Sequence, residues 1–431
     1  MRGRFTSSVL VFALSCVVSP PRALAASDDN GFANGVELPT LRAYAILHNP
    51  EITAMDQQWR AARARPSQEG SLPDPMVNTA YHNESFDRFT QGSSDFSWLR
   101  FGVEQEVPFP GKLGLKEKAA SQDADREGAR FRATALDVIT RLRVAYSDYV
   151  LAHRSIDILE RNQELLVTLQ RGAEERYRSG AGIQQDVVRA QVEVSVLAGR
   201  LVSLEQGRVS AVATLNGLLN RPPSAALGVP APVDAQTIAY TLDDLERMAR
   251  EQSPRLLAAE ADLGRAETTE RLAKRQYYPD FVLRADYYNK ADLVPEWEVG
   301  VGVRVPLYFW RKQAYGVEEA AAGAEAARAV RQDTLQDILA RIRDLYAQAT
   351  AADRLATLYE RSVVPQAEQS LRSALAGYRV GEVDFLTLLN SFTVLNDYEL
   401  RASEERANRE RAVAGLEDLA GVLPEFPPPA P

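Results

Sequence analysis

Side chains able to do covalent or metal chemistry are few in this chain of 431 residues, and none is placed to do it. His48, His82 and His153 are scattered, with no spacing that would bring two imidazoles onto one ion, and no HExxH helix, nucleophile elbow or phosphate loop accompanies them. Met55, Met76 and Met248 form no thioether cluster for copper. No enzymatic activity, cofactor or bound metal is expected. What the chain does carry is charge beside two matching turns, Tyr177-Arg-Ser-Gly180 and Tyr378-Arg-Val-Gly381: Arg379, Glu382 and Asp384 flank the second, and Asp186 follows the first. Such groups can pair across a gap or draw cations towards it, and each taken alone can equally be a solvated helix end.

The elements that would position these turns occur twice. Leu41 to Pro50 (LRAYAILHNP) matches Leu245 to Pro254 (LERMAREQSP) at an offset of 204, and Pro75 matches Pro279 at the same offset. Val107-Pro108 matches Val305-Pro306, Arg141 to Tyr146 matches Arg341 to Tyr346, and the two YRxG turns match, at offsets of 198, 200 and 201. Two copies of one unit that diverged mainly in their loops keep order in this way. The reading places a first repeat over 26–222, a linker over 223–240, a second repeat over 241–422 and a proline-rich tail over 423–431.

Residues 1–25 read as a secretory signal: Arg2 and Arg4 precede an apolar run from Val9 to Val18, and Ala23-Leu24-Ala25 is a small-residue cleavage site. Its removal takes the formal charge from −9 to −12 and also removes the sole cysteine, Cys16. A rival reading makes Cys16 the lipidated first residue of a lipoprotein, although Ala13-Leu14-Ser15 lacks the usual leucine three residues before it. An acidic exported chain is a poor partner for nucleic acid. No run of about 18 apolar residues follows, so any membrane span must be a barrel.

Strand alternation is clearest where Trp297, Val299, Val301, Val303 and Val305 interleave with Glu296, Glu298, Gly300, Gly302 and Arg304. Phe281, Leu283, Ala285 and Tyr287 continue that apolar face on a partner strand, and Leu99, Phe101 and Val103 give a blurrier counterpart in the first copy. A half-buried soluble sheet shows the same alternation. Strands are expected near 76–86, 96–107, 281–289 and 296–305. Four per chain cannot close a membrane barrel, which needs about eight, and open edges in lipid are costly, so chains must associate as a dimer or trimer at least.

No proline lies between Pro110 and Pro222, and the one evident break in that span is Ser179 to Gly182. The reading is a long helical hairpin over 112–220, its first helix from Lys112 to Arg178 being roughly 100 Å long. A second hairpin is expected over 309–420, kinked at Pro365 and turning at Val380-Gly381-Glu382. Leu142, Ala145, Tyr149, Ala152, Ile156 and Leu159 follow coiled-coil spacing, as do Ile338, Ile342, Leu345, Ala349 and Ala352.

In order and content these features resemble the TolC-like outer-membrane efflux proteins, over essentially the whole mature chain. Leu72-Pro-Asp-Pro75 and Val107-Pro-Phe-Pro-Gly-Lys112 resemble the branch that serves heavy-metal cation exporters. The resemblance implies a mixed α and β fold in which three copies form a twelve-stranded barrel continuous with a periplasmic α-helical barrel. It implies an outer-membrane duct in a tripartite efflux system, working with a periplasmic adaptor and an inner-membrane pump of the RND type. Drugs or secreted polypeptides are the alternative cargo, and a periplasmic adaptor, with one hairpin between halves of a β domain, is the more distant alternative. In the family an Asp, Tyr and Arg network closes the tip and an acidic ring narrows it. Asp186 and Tyr378 match the network, but Val383 occupies the arginine position and Thr387 and Asn390 the ring positions, which leaves Arg379 as a substitute partner and Gly180 and Gly381 as turns for adaptor contact.

Overall fold

The computed structural model describes residue 32 and residues 35–231 and 240–422. The signal segment with Cys16, most of the second half of the linker and the tail over 423–431 lie outside the described residues. Each repeat runs as two short helices, two strands and a long hairpin. The first comprises α1 (Leu38–His48), α2 (Pro50–Gly70), β1 (Met76–His82), β2 (Trp98–Val107), α3 (Lys112–Arg178) and α4 (Gln184–Leu218). The second comprises α5 (Leu242–Gln252), α6 (Pro254–Arg275), β3 (Asp280–Asn289), β4 (Glu296–Arg304), α7 (Gln313–Leu358), a π turn (Tyr359–Val363), α8 (Val364–Val380) and α9 (Phe385–Ala420).

The short helices explain why LRAYAILHNP and LERMAREQSP recur. Asn49 ends α1 and caps α2, accepting from the amides of Glu51 at 2.9 Å and Ile52 at 3.2 Å, while Pro50 starts the next helix where no amide is needed. Its amide group also donates to the Leu218 carbonyl at 2.8 Å, which ties this junction to the end of α4. In the second copy, Thr241 and Asp244 form a capping box on α5 and Pro254 starts α6. The described part of the linker is held as well. Tyr146 donates to the carbonyls of Val36 and Ala231 at 2.8 Å, and Tyr149 donates to Gly228 at 3.0 Å.

The helices bury three large apolar clusters along their length, besides a small one around Ile52, Ala135 and Val138. One lies at the turns, around Leu166, Leu197, Leu371, Tyr378, Phe385 and Phe392. The others lie under α1, around Leu142, Tyr146 and Leu215, and under α5, around Ile338, Ile342 and Leu416. The kink expected at Pro365 takes the form of the π turn just before it. Proline cannot donate and its ring would strike the carbonyl four residues back, so the ladder shifts by one residue, with the Val364 amide reaching the Tyr359 carbonyl. Arg406 of α9 grips this turn through both carboxylate oxygens of Glu360.

The four strands form one antiparallel sheet in the order β1-β2-β3-β4, with β2 and β3 joining the repeats. Among the described residues, β1 and β4 have one strand partner each, so the sheet ends in two open edges. β1 stops at His82 rather than near 86, because Asn83 turns the chain by accepting from the Thr90 amide at 2.9 Å and donating to the Arg88 carbonyl at 2.8 Å. The other edges move by one to four residues: β2 begins at Trp98, β3 at Asp280, β4 ends at Arg304, α4 ends at Leu218 and α7 begins at Gln313.

Candidate functional site

At the end of the molecule farthest in sequence from the strands, the two hairpin turns sit side by side. Both close the same way. Gly180 and Gly381 take φ of 76° and 83°, a left-handed conformation that glycine adopts without strain. The Ala181 amide returns to the Arg176 carbonyl at 2.8 Å and the Gly180 amide to Tyr177 at 3.1 Å. Likewise the Glu382 amide returns to Gly377 at 2.9 Å and the Gly381 amide to Tyr378 at 3.2 Å. The following helices differ. Asp384 caps α9 by accepting from the Thr387 amide at 3.1 Å, whereas the equivalent Ile183 offers α4 no side-chain cap.

Side chains break the symmetry further. Tyr177 is exposed, but its counterpart Tyr378 is buried, edge-on to Phe385 at 5.6 Å. Arg176 crosses from α3 to this ring, with its guanidinium 4.8 Å from the centroid, donating to the Tyr378 carbonyl at 2.5 Å and to the Ala181 carbonyl at 3.3 Å. One side chain thus links both turns. At the position of Arg176 the second copy has Gly377, where an added Cβ would come within 2.6 Å of Val383. A groove of about 510 Å³ opens between the turns, lined among others by Arg176, Asp186, Arg189, Tyr378, Glu382 and Asp384.

Electrostatics tune the two aspartates in opposite senses. Burial pushes Asp186 above the usual carboxylate range, with Asp384 adding to the shift and Arg189 and Arg176 opposing it. The hydrogen bonds from Thr387 hold Asp384 below that range. Burial also raises the Tyr378 phenol, against the pull of Arg176.

Asp186, Tyr378, Glu382 and Asp384 therefore share one groove with Gly381. Arg379 does not join them: among the described residues it has no ion pair or hydrogen bond from its side chain, and Arg176 holds the tyrosine instead. The sequence reading missed Arg176 and Arg189. A signal existed for the first, since the repeat sets Arg176 against Gly377 immediately before the paired tyrosines. Thr387 and Asn390 are exposed on α9, one turn apart, and bring no charge.

The sheet at the other end separates polarity by face. Register aligns Val77, Val103, Ala285 and Val299 in one row and Thr79, Phe101, Tyr287 and Trp297 in the next. The opposite face carries a charge ladder: Arg284 to Glu104 at 3.0 Å, Arg304 to Glu106 at 2.6 Å and Arg100 to Asp286 at 3.6 Å. At the junction with the helices, the buried Lys112 ammonium donates to the Asp280 carboxylate at 2.8 Å and the Tyr278 carbonyl at 2.9 Å. The lysine of VPFPGK thus ties the first repeat to the second. No helix of the described residues is long and apolar enough to cross a membrane, and no group of His, Asp and Glu among them is arranged to hold a metal ion.

The profile of the family described as outer membrane efflux protein matches residues 41–221 and 245–422, both repeats in turn. The chain belongs to that family. Its members are efflux channels rather than enzymes. No curated protein matches this outer membrane efflux protein by sequence. Solved structures match its fold: the outer-membrane channel OprN, with a TM-score of 0.77 at 17% identity over 89% of each chain. VceC of Vibrio cholerae matches with a TM-score of 0.77 at 18% identity, over 89% of this chain and 96% of that one. CusC matches with a TM-score of 0.79 at 14% identity, over 90% of this chain and 93% of that one. At these identities the likeness shows the fold alone.

Proposed function

We propose that this outer-membrane efflux protein is a passive, gated exit duct whose gate is the pair of hairpin turns. The observation that carries the gate is the Arg176 bridge, which binds the two turns to each other at the groove holding Asp186 and Asp384. Three copies would join β4 of one to β1 of the next, giving twelve strands with no edge in lipid and the charge ladder facing a water-filled lumen. A periplasmic adaptor would engage the turns at Gly180 and Gly381, and an inner-membrane pump, of the RND type, would supply both cargo and energy. Opening then needs only that the adaptor bind the separated turns more tightly than the joined ones. The adaptor alternative does not describe a chain with two complete hairpins and four strands.

Heavy-metal cations are the proposed cargo, on the strength of LPDP and VPFPGK. One observation favours a second reading, export of drugs: Thr387 and Asn390 are neutral, so no ring of carboxylates would concentrate cations there. Growth of a deletion strain on zinc, cobalt, cadmium, copper and silver salts, beside dyes, bile salts and hydrophobic antibiotics, separates the two. Selective metal sensitivity supports the first reading, and selective drug sensitivity replaces it with the second.

A further inference from the structure

We propose that the segment joining β4 to α7 binds the headgroup of an anionic phospholipid, of the phosphatidylglycerol class, in the inner leaflet of the membrane. The inference rests on the reading that the apolar sheet face meets lipid. From Val305 the apolar face of β4 runs on into Leu307, Tyr308, Phe309 and Trp310, all at least half exposed. Phe309 and Trp310 meet edge to face at 5.2 Å, and Tyr277 lies 6.4 Å from Phe309. Trp297, 78% exposed, marks the other end of β4, so the strand is bracketed by aromatic residues as lipid-facing strands are at both interfaces. The helices leave from the Tyr308 end, which makes that end the periplasmic one in this reading.

Charge selects the lipid. The amides of Arg311 and Lys312 both donate to the Tyr308 carbonyl, at 3.0 Å and 2.9 Å, which fixes two basic residues in one turn directly after the aromatic run. Both are exposed, and among the described residues neither side chain has an ion pair or hydrogen bond. Of the acids at this rim, Asp280 is paired with Lys112 at 2.8 Å and Glu106 with Arg304 at 2.6 Å, and Asp74 stands on the far side of the sheet, ahead of β1. Glu318 and Glu319 lie more than a turn further along α7, away from the strands. Arg275 adds a third cation, 5.6 Å over the Tyr278 ring, which itself stacks on Phe109 at 4.6 Å. Aromatic residues at headgroup depth beside unpaired cations fit a headgroup of net negative charge better than a zwitterionic one.

The full chain, reconstituted in nanodiscs of mixed phosphatidylethanolamine and phosphatidylglycerol and then re-extracted, tests this by mass spectrometry of the retained lipid. The expected result is phosphatidylglycerol enriched several-fold over its bulk share, an enrichment lost in Arg311→Gln/Lys312→Gln and kept in Arg311→Lys. Retention at the bulk ratio, or unchanged enrichment in the double variant, overturns the site. Dissociation of the double variant's oligomer with lipid retention unaltered also overturns it, making the segment a contact between copies. A protein that never enters the bilayer fails the membrane reading instead.

Discussion

Arg176 and Tyr378 stand 202 residues apart in sequence, yet the guanidinium of one lies 4.8 Å over the ring of the other and donates to its carbonyl. A cation over a ring and a charged hydrogen bond together contribute about 2 kcal/mol in a partly exposed setting. Arg176→Ala should therefore shift the ratio of open to closed tips about thirty-fold towards open. Arg379→Ala, which removes a charge two residues from Gly381 but no contact, should leave it unchanged. Single-channel recording in planar bilayers compares them, and equal open probability in Arg176→Ala and the native protein would remove the latch.

Acidity should act on this tip in two opposite ways. With the turns joined, burial holds Asp186 above its ordinary 3.8, so in the proposed gate closure takes up a proton and is favoured as pH falls through that raised value. Asp384 is held below 3.8 by its bonds to Thr387, so the stability it lends is present above 3.8 and is lost as pH falls through its lowered value. Leak current should fall on mild acidification and rise again on strong acidification. Asp186→Asn should abolish the first limb and keep the second. A monotonic curve in the native protein, or a first limb that survives Asp186→Asn, contradicts the assignment.

Gly377 is needed for space rather than for its backbone angle. A Cβ there would lie 2.6 Å from Val383, a β-branched side chain with little rotamer freedom. Gly377→Ala should distort the second turn and admit large antibiotics that the native duct excludes. Adding Val383→Ala should restore exclusion. If the double variant leaks as freely as the single one, the packing explanation is wrong.

The long elements were legible because their signals are periodic and extended. Strict alternation from Trp297 to Val305 fixes a strand and its faces, and sixty-odd residues without proline fix α3, whose observed ends are Lys112 and Arg178. Cross-repeat pairing was not legible. That Lys112 meets Asp280, or that Arg176 rather than Arg379 meets Tyr378, depends on how two hairpins lie together, which no local period reports. The short helices α1 and α5 were seen only as matching strings, because 11 residues each are too few for a long apolar stripe. The π turn before Pro365 lies between these cases: proline announces a break, but its form as a shift of the ladder over Tyr359–Val363 is seen only in the structure.

Lys112 gives the junction of sheet and helices its own test. Its side chain is 4% exposed, and its ammonium joins the start of α3 to the start of β3 through Asp280. Removing one partner of a buried pair leaves the other charge desolvated, at a cost of about 3 kcal/mol or more. Lys112→Met should lower the temperature at which the folded oligomer collapses to its heat-denatured form on gels. Asp280 also accepts from the Phe109 amide at 2.7 Å, so Asp280→Asn alone should cost less, since an amide can keep that bond through its oxygen. Combining Lys112→Met with Asp280→Asn should recover part of the loss, because no unpaired charge then remains. If the double variant is as unstable as the sum of the singles, the two residues are not coupled and the lysine of VPFPGK has another role.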